Sequence, residues 1–259
     1  MITLKSKEEL KFLREAGQIV AEVLEELREI IITSSRITTQ ELDRLAESLI
    51  LKRRAKPAFK GYRGFPSSLC TSVNEQVVHG IPGPYRLRSG DIISLDLGVK
   101  FNGYYGDAAI TVTVGEVSDE VKRLLQITEG ALYRGIKQAK AGNKLSDISY
   151  AIQSYVEENG FSVVRDLVGH GIGKSLHEEP AVPNFGEPRQ GPLLKKGMTL
   201  AIEPMVNTKS FKVKTKKDNW TVVTADGKPS AHFEHTIAIR GSKPEILTLT
   251  KQEKEKGGI

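Results

Sequence analysis

The sequence is poor in the residues that build covalent and membrane-bound frameworks. Cys70 is the only cysteine in 259 residues, which excludes a disulfide framework and a cysteine-rich zinc site. No apolar run approaches the roughly 20 residues of a membrane span, and the opening "MITLKSKEELKFLREAG" has no apolar stretch of signal-peptide type. We therefore expect a cytoplasmic protein in a reducing compartment, without a membrane partner.

Charge is also modest, with a formal net charge of +6 that permits an anionic partner without requiring one. The densest basic stretch is "KSFKVKTKKDNW", in which lysines alternate with Phe211 and Val213. That period of two indicates a solvated hairpin, and a nucleic-acid surface is the alternative. We expect no DNA partner.

The order of elements is helices and then strands, twice over. Capping boxes at Ser6–Glu9 and Thr38–Glu41 precede two helices, and Asn102-Gly103 predicts a hairpin turn between about Ile92 and Val114. The second set comprises a helix from Ser118 to near Gly142, a helix ending at Asn159-Gly160, and the β-like runs "MTLAIEPMV", "WTVVTADG" and "HTIAIRG".

Shifting the sequence against itself by 107 residues aligns these two sets. Gly64 falls on Gly171, Ser68 on Ser175, Leu69 on Leu176, Gly90 on Gly197 and Asp96 on Glu203. We interpret the overlay as an internal duplication within one compact domain, residues 1–259, with α+β halves at about 1–115 and 116–245. The sheets of the two halves would face a shared cleft.

Four acidic residues lie in or beside apolar strand-like runs: Asp96, Asp107, Glu203 and Glu234. Each alone is compatible with a solvent-facing strand position, because acids are mostly exposed. Together they favour a cluster, and buried carboxylates must be paired, protonated or metal-bound. His170, in the glycine-rich "GHGIGKSLHEEP", is placed to add one nitrogen ligand.

Such an oxygen-dominated set suits two divalent cations, with Mn²⁺, Fe²⁺ or Co²⁺ preferred to structural zinc. The chemistry that follows is two-metal hydrolysis, in which the metals lower the pKa of a shared water.

Five motifs then identify a known family: "NEQVVHGIP", "SLDLGVKFNGYYGDAA", "GHGIGKSLHEEP", "AIEP" and "EHTIAI". In this order they resemble the motif set of type I methionine aminopeptidases, from the first helix to about Ile239. The resemblance implies the α+β pita-bread fold, in which two pseudo-twofold-related halves with antiparallel sheets surround a central dinuclear metal cleft.

The resemblance also implies a role for each motif residue. Asp107 and Glu234 would bridge the two metals, Asp96 would complete one site, and His170 with Glu203 would complete the other. Catalytic roles would fall on His79, which contacts the substrate amide nitrogen, on His177, which donates a hydrogen bond to the scissile carbonyl, and on Glu203, the proton shuttle.

The methionine pocket implied by the family falls on Tyr62, Phe65, Cys70, Leu176 and Trp220, together with His79 and His177. Leu176 departs from the family, because many relatives carry an aromatic residue there. His232 and His235 have no motif role, and we interpret both as structural or exposed.

The activity implied is removal of the initiator methionine from nascent proteins when the second residue is small. Only 26 positions separate His177 from Glu203, too few for the helical insert of type II enzymes. We expect a minimal type I form without an N-terminal zinc-finger extension. A proline-specific aminopeptidase or prolidase of the same fold is the enzyme alternative, although those proteins usually carry a large extra N-terminal domain. The alternative outside the enzymes is a catalytically inactive binding module on ribosomal RNA, but such relatives lose metal ligands.

We expect a monomer that contacts the ribosome transiently.

Overall fold

The computed structural model describes residues 1–34 and 36–255. Its helices are α1 (Lys7–Thr33), α2 (Thr39–Lys52), α3 (Asp119–Gln138), α4 (Leu145–Glu158) and α5 (Lys251–Glu255), with a 3-10 turn at Tyr62–Gly64. The strands of the first part are β1 (Lys56–Pro57), β2 (Cys70–Val73), β3 (Gln76–Val78), β4 (Ile92–Phe101) and β5 (Tyr104–Thr113). Those of the second part are β6 (Ser162–Val163), β7 (Val168–Gly171), β8 (Glu178–Pro183), β9 (Thr199–Ile202), β10 (Met205–Asn207), β11 (Val213–Thr215), β12 (Val222–Thr224), β13 (Ser230–His232), β14 (Glu234–Ile239) and β15 (Pro244–Ile246). None of the helices within the described ranges is long and apolar enough to cross a membrane.

Both predicted capping boxes form at the helix starts. The Ser6 hydroxyl accepts a hydrogen bond from the Glu9 amide, and the Glu9 carboxylate accepts one from the Ser6 amide. Thr38 and Glu41 make the same reciprocal pair ahead of α2. Such pairs satisfy amide groups that have no partner inside the first helical turn.

The end of α3 differs from the prediction. The helix stops at Gln138, before the predicted end near Gly142. The Gln138 carbonyl, at the helix end, accepts hydrogen bonds from the Lys140 amide at 2.7 Å and from the Asn143 side chain at 2.9 Å.

The predicted hairpin between β4 and β5 is confirmed. Phe101 pairs with Tyr104, and the intervening Asn102 and Gly103 have φ values of 48° and 85°. Two successive residues in the left-handed region define the turn that matches the twist of a two-residue hairpin.

The large sheet runs in the order β1-β4-β5-β14-β9-β7-β8, with every pair antiparallel and with β2 and β15 beside β4 and β14. One apolar core joins α1 and α2 to β4 and β5, and a second joins α3 and α4 to β9 and β14. Strands β5 and β14 lie next to each other where these two sets meet. The helix-pair and strand order therefore occurs twice, while the division of the chain near residue 115 stays a prediction.

The predicted run "MTLAIEPMV" is two strands rather than one. β9 belongs to the large sheet, whereas β10 pairs with β13 and β6 in a separate sheet. The break falls at Glu203-Pro204, because proline has no amide hydrogen to continue a sheet ladder. Glu203 therefore lies where the chain leaves the large sheet.

Candidate active site

Three acidic side chains reach one face of the large sheet through its register. Asp96 of β4 and Glu234 of β14 both pair with Ala109 of β5, one from each side. Asp107 precedes Ala109 by two residues, so strand alternation puts it on the same face. The methyl side chain of Ala109 occupies little of the space between the three carboxylates, which therefore face one common volume.

His170 joins this row from β7, where it pairs with Ala201 of the neighbouring strand β9. Its Nε2 lies 3.9 Å from Oδ2 of Asp107 and 3.6 Å from Oε1 of Glu203. The other ring nitrogen, Nδ1, is 2.9 Å from the Gly171 carbonyl, to which it donates when it carries the proton. In that tautomer Nε2 carries a free electron pair, which faces the carboxylates of Asp107 and Glu203.

Glycine at position 171 is required by the neighbouring strand. A Cβ atom there would lie 2.2 Å from the carbonyl oxygen of Glu179. This contact explains why glycine accompanies His170 in the motif: without a side chain, β7 and β8 approach closely enough to hold the imidazole against the carboxylates.

Burial makes the ionised carboxylates costly. It raises the pKa of Asp96 to about 7, and it raises the pKa values of Asp107, Glu203 and Glu234 well above their ordinary range, with repulsion among the acids adding to it. One carboxylate oxygen each of Asp96, Asp107 and Glu234 has no hydrogen-bond partner within the described residues. Buried polar atoms are rarely left so, and bound cations are one way to satisfy them.

The donor set fits a metal. Ligand atoms of Asp107, His170 and Glu234 all lie within 4.8 Å of one another, and all three residues are buried. Carboxylate oxygens with one imidazole nitrogen suit divalent cations of the Mn²⁺, Fe²⁺ and Co²⁺ type.

A cavity of about 160 Å³ opens onto these acids. That is roughly five times the volume of about 30 Å³ that one water molecule occupies in the liquid. Its lining comprises Phe59, Tyr62, Arg63, Phe65, Cys70, His79, Asp96, Asp107, His170, His177, Glu203, Trp220 and Glu234. The structure thus brings the predicted metal-binding and catalytic residues into one cavity.

His177 stands beside His170 at the cavity edge, with ring centroids 4.3 Å apart. Its Nδ1 is 2.7 Å from the Tyr62 hydroxyl. Burial, and then the charges of His170 and Arg63, lower the pKa of His177 to about 4, so the ring is neutral at neutral pH. When the Tyr62 hydroxyl donates to Nδ1, the ring proton of His177 lies on Nε2, available as a hydrogen-bond donor.

His79 is held in an uncommon backbone conformation, with φ at 56°. Non-glycine residues rarely occupy this left-handed region, and those that do are often found at functional sites. Burial lowers the pKa of His79, and its ring meets Trp220 edge-on at 6.3 Å.

The apolar side of the cavity is built from the predicted pocket residues. Phe65 and Trp220 meet edge-to-face with centroids 5.2 Å apart, and Cys70 pairs with Asp96 in the sheet register. Leu176 is buried in the same apolar cluster, behind the lining residues rather than among them. Its part in substrate binding stays a prediction.

Two lining residues, Phe59 and Arg63, were missed from the sequence. Phe59 packs across Gly98, where a Cβ atom would lie 2.5 Å from its ring. A glycine two residues after Asp96, inside an otherwise apolar strand, was the available indication of such a close approach. Arg63 has no comparable sequence signature, because its position depends on the left-handed conformation of its own backbone (φ 49°).

The two histidines without a predicted role are both buried. The His235 ring hydrogen-bonds through Nδ1 to Thr248 at 2.9 Å, and its Nε2 lies 3.5 Å from Oε1 of Glu253, which agrees with a structural role. His232 lies beside Glu203, with its Nε2 at 3.8 Å from Oε2.

A cluster of buried carboxylates with one histidine, beside a small cavity, could hold a metal and has the donor chemistry that a metallopeptidase requires. A model of metallopeptidase family M24 matches residues 11–241. The chain is 57% identical over 251 residues to methionine aminopeptidase of Clostridium perfringens, covering 97% of this chain and 100% of that one. It is 58% identical over 248 residues to methionine aminopeptidase 1 of Bacillus subtilis, covering 96% of this chain and 99% of that one.

Solved structures support the same family assignment. The crystal structure of methionine aminopeptidase from Rickettsia prowazekii superposes with a TM-score of 0.94 at 42% identity, over 96% of this chain and all of that one. A prolidase from Pyrococcus furiosus shares the fold alone, with a TM-score of 0.76 at 23% identity, and this chain covers 66% of its length. The chain belongs to metallopeptidase family M24 and, within it, to the methionine aminopeptidases, which confirms the predicted fold class, enzyme class and activity.

Proposed function

We propose that this chain binds the N-terminal methionine of a peptide in the cavity and hydrolyses the bond that follows it, using two divalent cations. The observation that carries the proposal is the row of buried carboxylates with unpartnered oxygens, lining a cavity that also has an apolar side formed by Phe59, Phe65, Cys70 and Trp220. A free α-amino group in its neutral form would ligate one of the cations, which would limit cleavage to the first residue of a chain.

The metal-binding residues in this proposal are Asp96, Asp107, His170, Glu203 and Glu234. Asp107 and Glu234 would contact both ions, with Asp96 completing one site and His170 and Glu203 the other. The ions would neutralise the carboxylates and activate a water molecule for attack on the peptide carbonyl. Co²⁺, Mn²⁺ and Fe²⁺ all suit this donor set.

Calorimetric titration of metal-stripped protein tests the number of ions. We expect two Mn²⁺ ions per chain in the wild type and a weakened second ion in Asp96→Asn, because Asp96 would contact one ion only. One ion per chain in the wild type at saturating Mn²⁺ would contradict the dinuclear proposal.

The proton transfers are assigned to Glu203. Its side chain is mostly buried, with one oxygen towards His170 and the cavity. It would take a proton from the attacking water and pass it to the leaving amine. Glu203→Ala should therefore abolish turnover and weaken one metal, whereas near-normal activity would overturn the assignment.

His177 and His79 would bind the substrate backbone. The tautomer favoured by Tyr62 leaves the Nε2 proton of His177 free to bond the carbonyl oxygen as negative charge develops there. His79, across the cavity beside Trp220, would contact the amide nitrogen. Tyr62, Phe65, Cys70 and Trp220 would surround the thioether side chain, which makes favourable contacts with aromatic rings, with Leu176 supporting that wall.

The natural substrates would be nascent proteins in the cytoplasm whose second residue is small. We further propose that the chain works as a monomer and contacts the ribosome transiently through the lysines of β11 and the turn that follows. Lys214, Lys216 and Lys217 are exposed there. Charge reversal of all three should reduce co-sedimentation with ribosomes while leaving peptide cleavage unchanged; equal sedimentation would remove the ribosome from the proposal.

A further inference from the structure

His232 is a buried side chain with no role in the chemistry described so far. It ends strand β13 and is 1% exposed. Neither ring nitrogen has a hydrogen-bond partner within the part of the chain that the structure describes. Leaving a buried polar group without a partner is costly, so its retention calls for a partner in the working protein.

The nearest acidic group to this ring is the Glu203 carboxylate. Its two oxygens face different histidines: Oε1 lies 3.6 Å from Nε2 of His170, and Oε2 lies 3.8 Å from Nε2 of His232. At 3.8 Å the second contact is longer than a hydrogen bond, so a bond between these atoms requires the carboxylate to turn towards the ring. His170 belongs to the proposed metal set and lines the cavity, whereas His232 is not among the residues that line it.

The backbone of His232 is held firmly. The Thr111 hydroxyl donates to the His232 carbonyl at 2.7 Å and accepts from the His232 amide at 3.0 Å, and it also contacts the Ser94 hydroxyl at 2.9 Å. His232 further pairs with Met205, two residues beyond Glu203. Strands β4, β5 and β10 thus hold the backbone of His232 in place near Glu203.

We propose that His232 is a positioning residue, whose ring N–H holds Oε2 of Glu203 so that the other oxygen stays directed at the cavity. The proposal rests on the proton-transfer role assigned to Glu203 above. It explains why a polar ring occupies a fully buried position behind the acid. A carboxylate restrained on one side keeps its reacting oxygen in line with the water and the leaving nitrogen, and displacement of such a group by about 1 Å can cost 100-fold in rate.

The test compares His232→Leu with His232→Gln, in which an amide N–H replaces the ring N–H. Ser149→Ala is the matched control, because Ser149 is equally buried and its hydroxyl is also unpartnered, but it lies in α4 away from the cavity. For each protein, kcat and KM for Met-Ala-Ser are measured with Mn²⁺, and Mn²⁺ affinity is measured separately by calorimetry.

We expect His232→Leu to lower kcat by about 10-fold or more with KM and Mn²⁺ affinity within about threefold of the wild type. His232→Gln should recover most of kcat, and Ser149→Ala should match the wild type. If His232→Leu does not fold, His232→Asn replaces it, because its shorter amide cannot reach Glu203 and should show the same loss.

Three results would overturn the proposal: unchanged kcat in the leucine or asparagine variant, a loss of Mn²⁺ affinity as large as the loss of kcat, or no recovery in the glutamine variant. A wild-type protein that does not cleave Met-Ala-Ser would instead contradict the proposed function, so the two failures are distinguishable.

Discussion

Replacing Asp107 by asparagine should stabilise the metal-free protein and abolish its stabilisation by metal. Asp107 is buried beside Glu234 and Asp96, and its Oδ1 has no partner within the described residues. Burial, and then repulsion from those two acids, raises its pKa well above the ordinary range. The asparagine amide carries no charge and can donate to a neighbouring carboxylate, so the variant removes the repulsion without leaving a cavity.

The size of both effects follows from the same contacts. Relief of one unsatisfied buried group is worth about 1–3 kcal/mol. In a chain of this length about 1 kcal/mol shifts Tm by roughly 2–4 °C, so the metal-free variant should melt several degrees above the metal-free wild type. Mn²⁺ at about 100 times its Kd adds about 2.7 kcal/mol to a protein that binds it only when folded, which corresponds to roughly 5–10 °C in the wild type.

Thermal denaturation of metal-stripped protein, with and without Mn²⁺, measures both effects. Asp119→Asn serves as the control, because Asp119 is an exposed acid in the first turn of α3 and its loss should leave the metal shift intact. A metal-free Asp107→Asn that melts below the wild type, or one that keeps the full Mn²⁺ shift, would refute the reasoning.

Three further predictions concern the pocket, a helix cap and the catalytic histidine. Gly98→Ala should raise KM for methionyl peptides with Mn²⁺ affinity unchanged, because the new methyl group displaces the Phe59 ring towards the cavity at a cost of about 1–3 kcal/mol. Steady-state kinetics measures KM and calorimetry measures Mn²⁺ affinity, and an unchanged KM would count against this prediction. The hydrogen bond from the Ser6 amide lowers the pKa of Glu9 to about 2, so its carboxylate stabilises the fold above the unfolded-state pKa of about 4.3 and that contribution is lost as pH falls towards 2. Glu9→Gln should therefore lower the free energy of unfolding at neutral pH by less than about 1 kcal/mol, because so exposed a pair contributes little. The resulting difference in Tm should shrink in acid melts, and a constant difference would contradict this role of the carboxylate. His177→Ala should lower kcat by about 100-fold or more with metal content intact, whereas loss of metal would make His177 a ligand.

Local patterns predicted the elements that local chemistry determines. The capping boxes at Ser6 and Thr38 fixed two helix starts, and Asn102-Gly103 located the central hairpin, because each depends on residues a few positions apart. The carboxylate cluster was predictable for a different reason: acids inside apolar strands are too costly to bury separately.

Features that depend on pairing between distant strands escaped the sequence. The common row of Asp96 and Glu234 arises because both pair with Ala109, and no local pattern gives that register. Two other features had only a weak local signal. Pro204 indicates the break in the run "MTLAIEPMV", and Gly98 indicates the close approach that Phe59 makes, but neither residue alone identifies the partner. The orientation of His232 towards Glu203 had none, since it follows from contacts with Thr111 on another strand.

Methionine release from Met-Ala-Ser and Met-Leu-Ser by metal-stripped protein, with Mn²⁺, Fe²⁺, Co²⁺ or Zn²⁺ added back, tests the central claim most directly. The proposed function predicts no release without metal, release from Met-Ala-Ser with at least one of these ions, and little release from Met-Leu-Ser. Folded protein that cleaves neither peptide with any of the ions would contradict it.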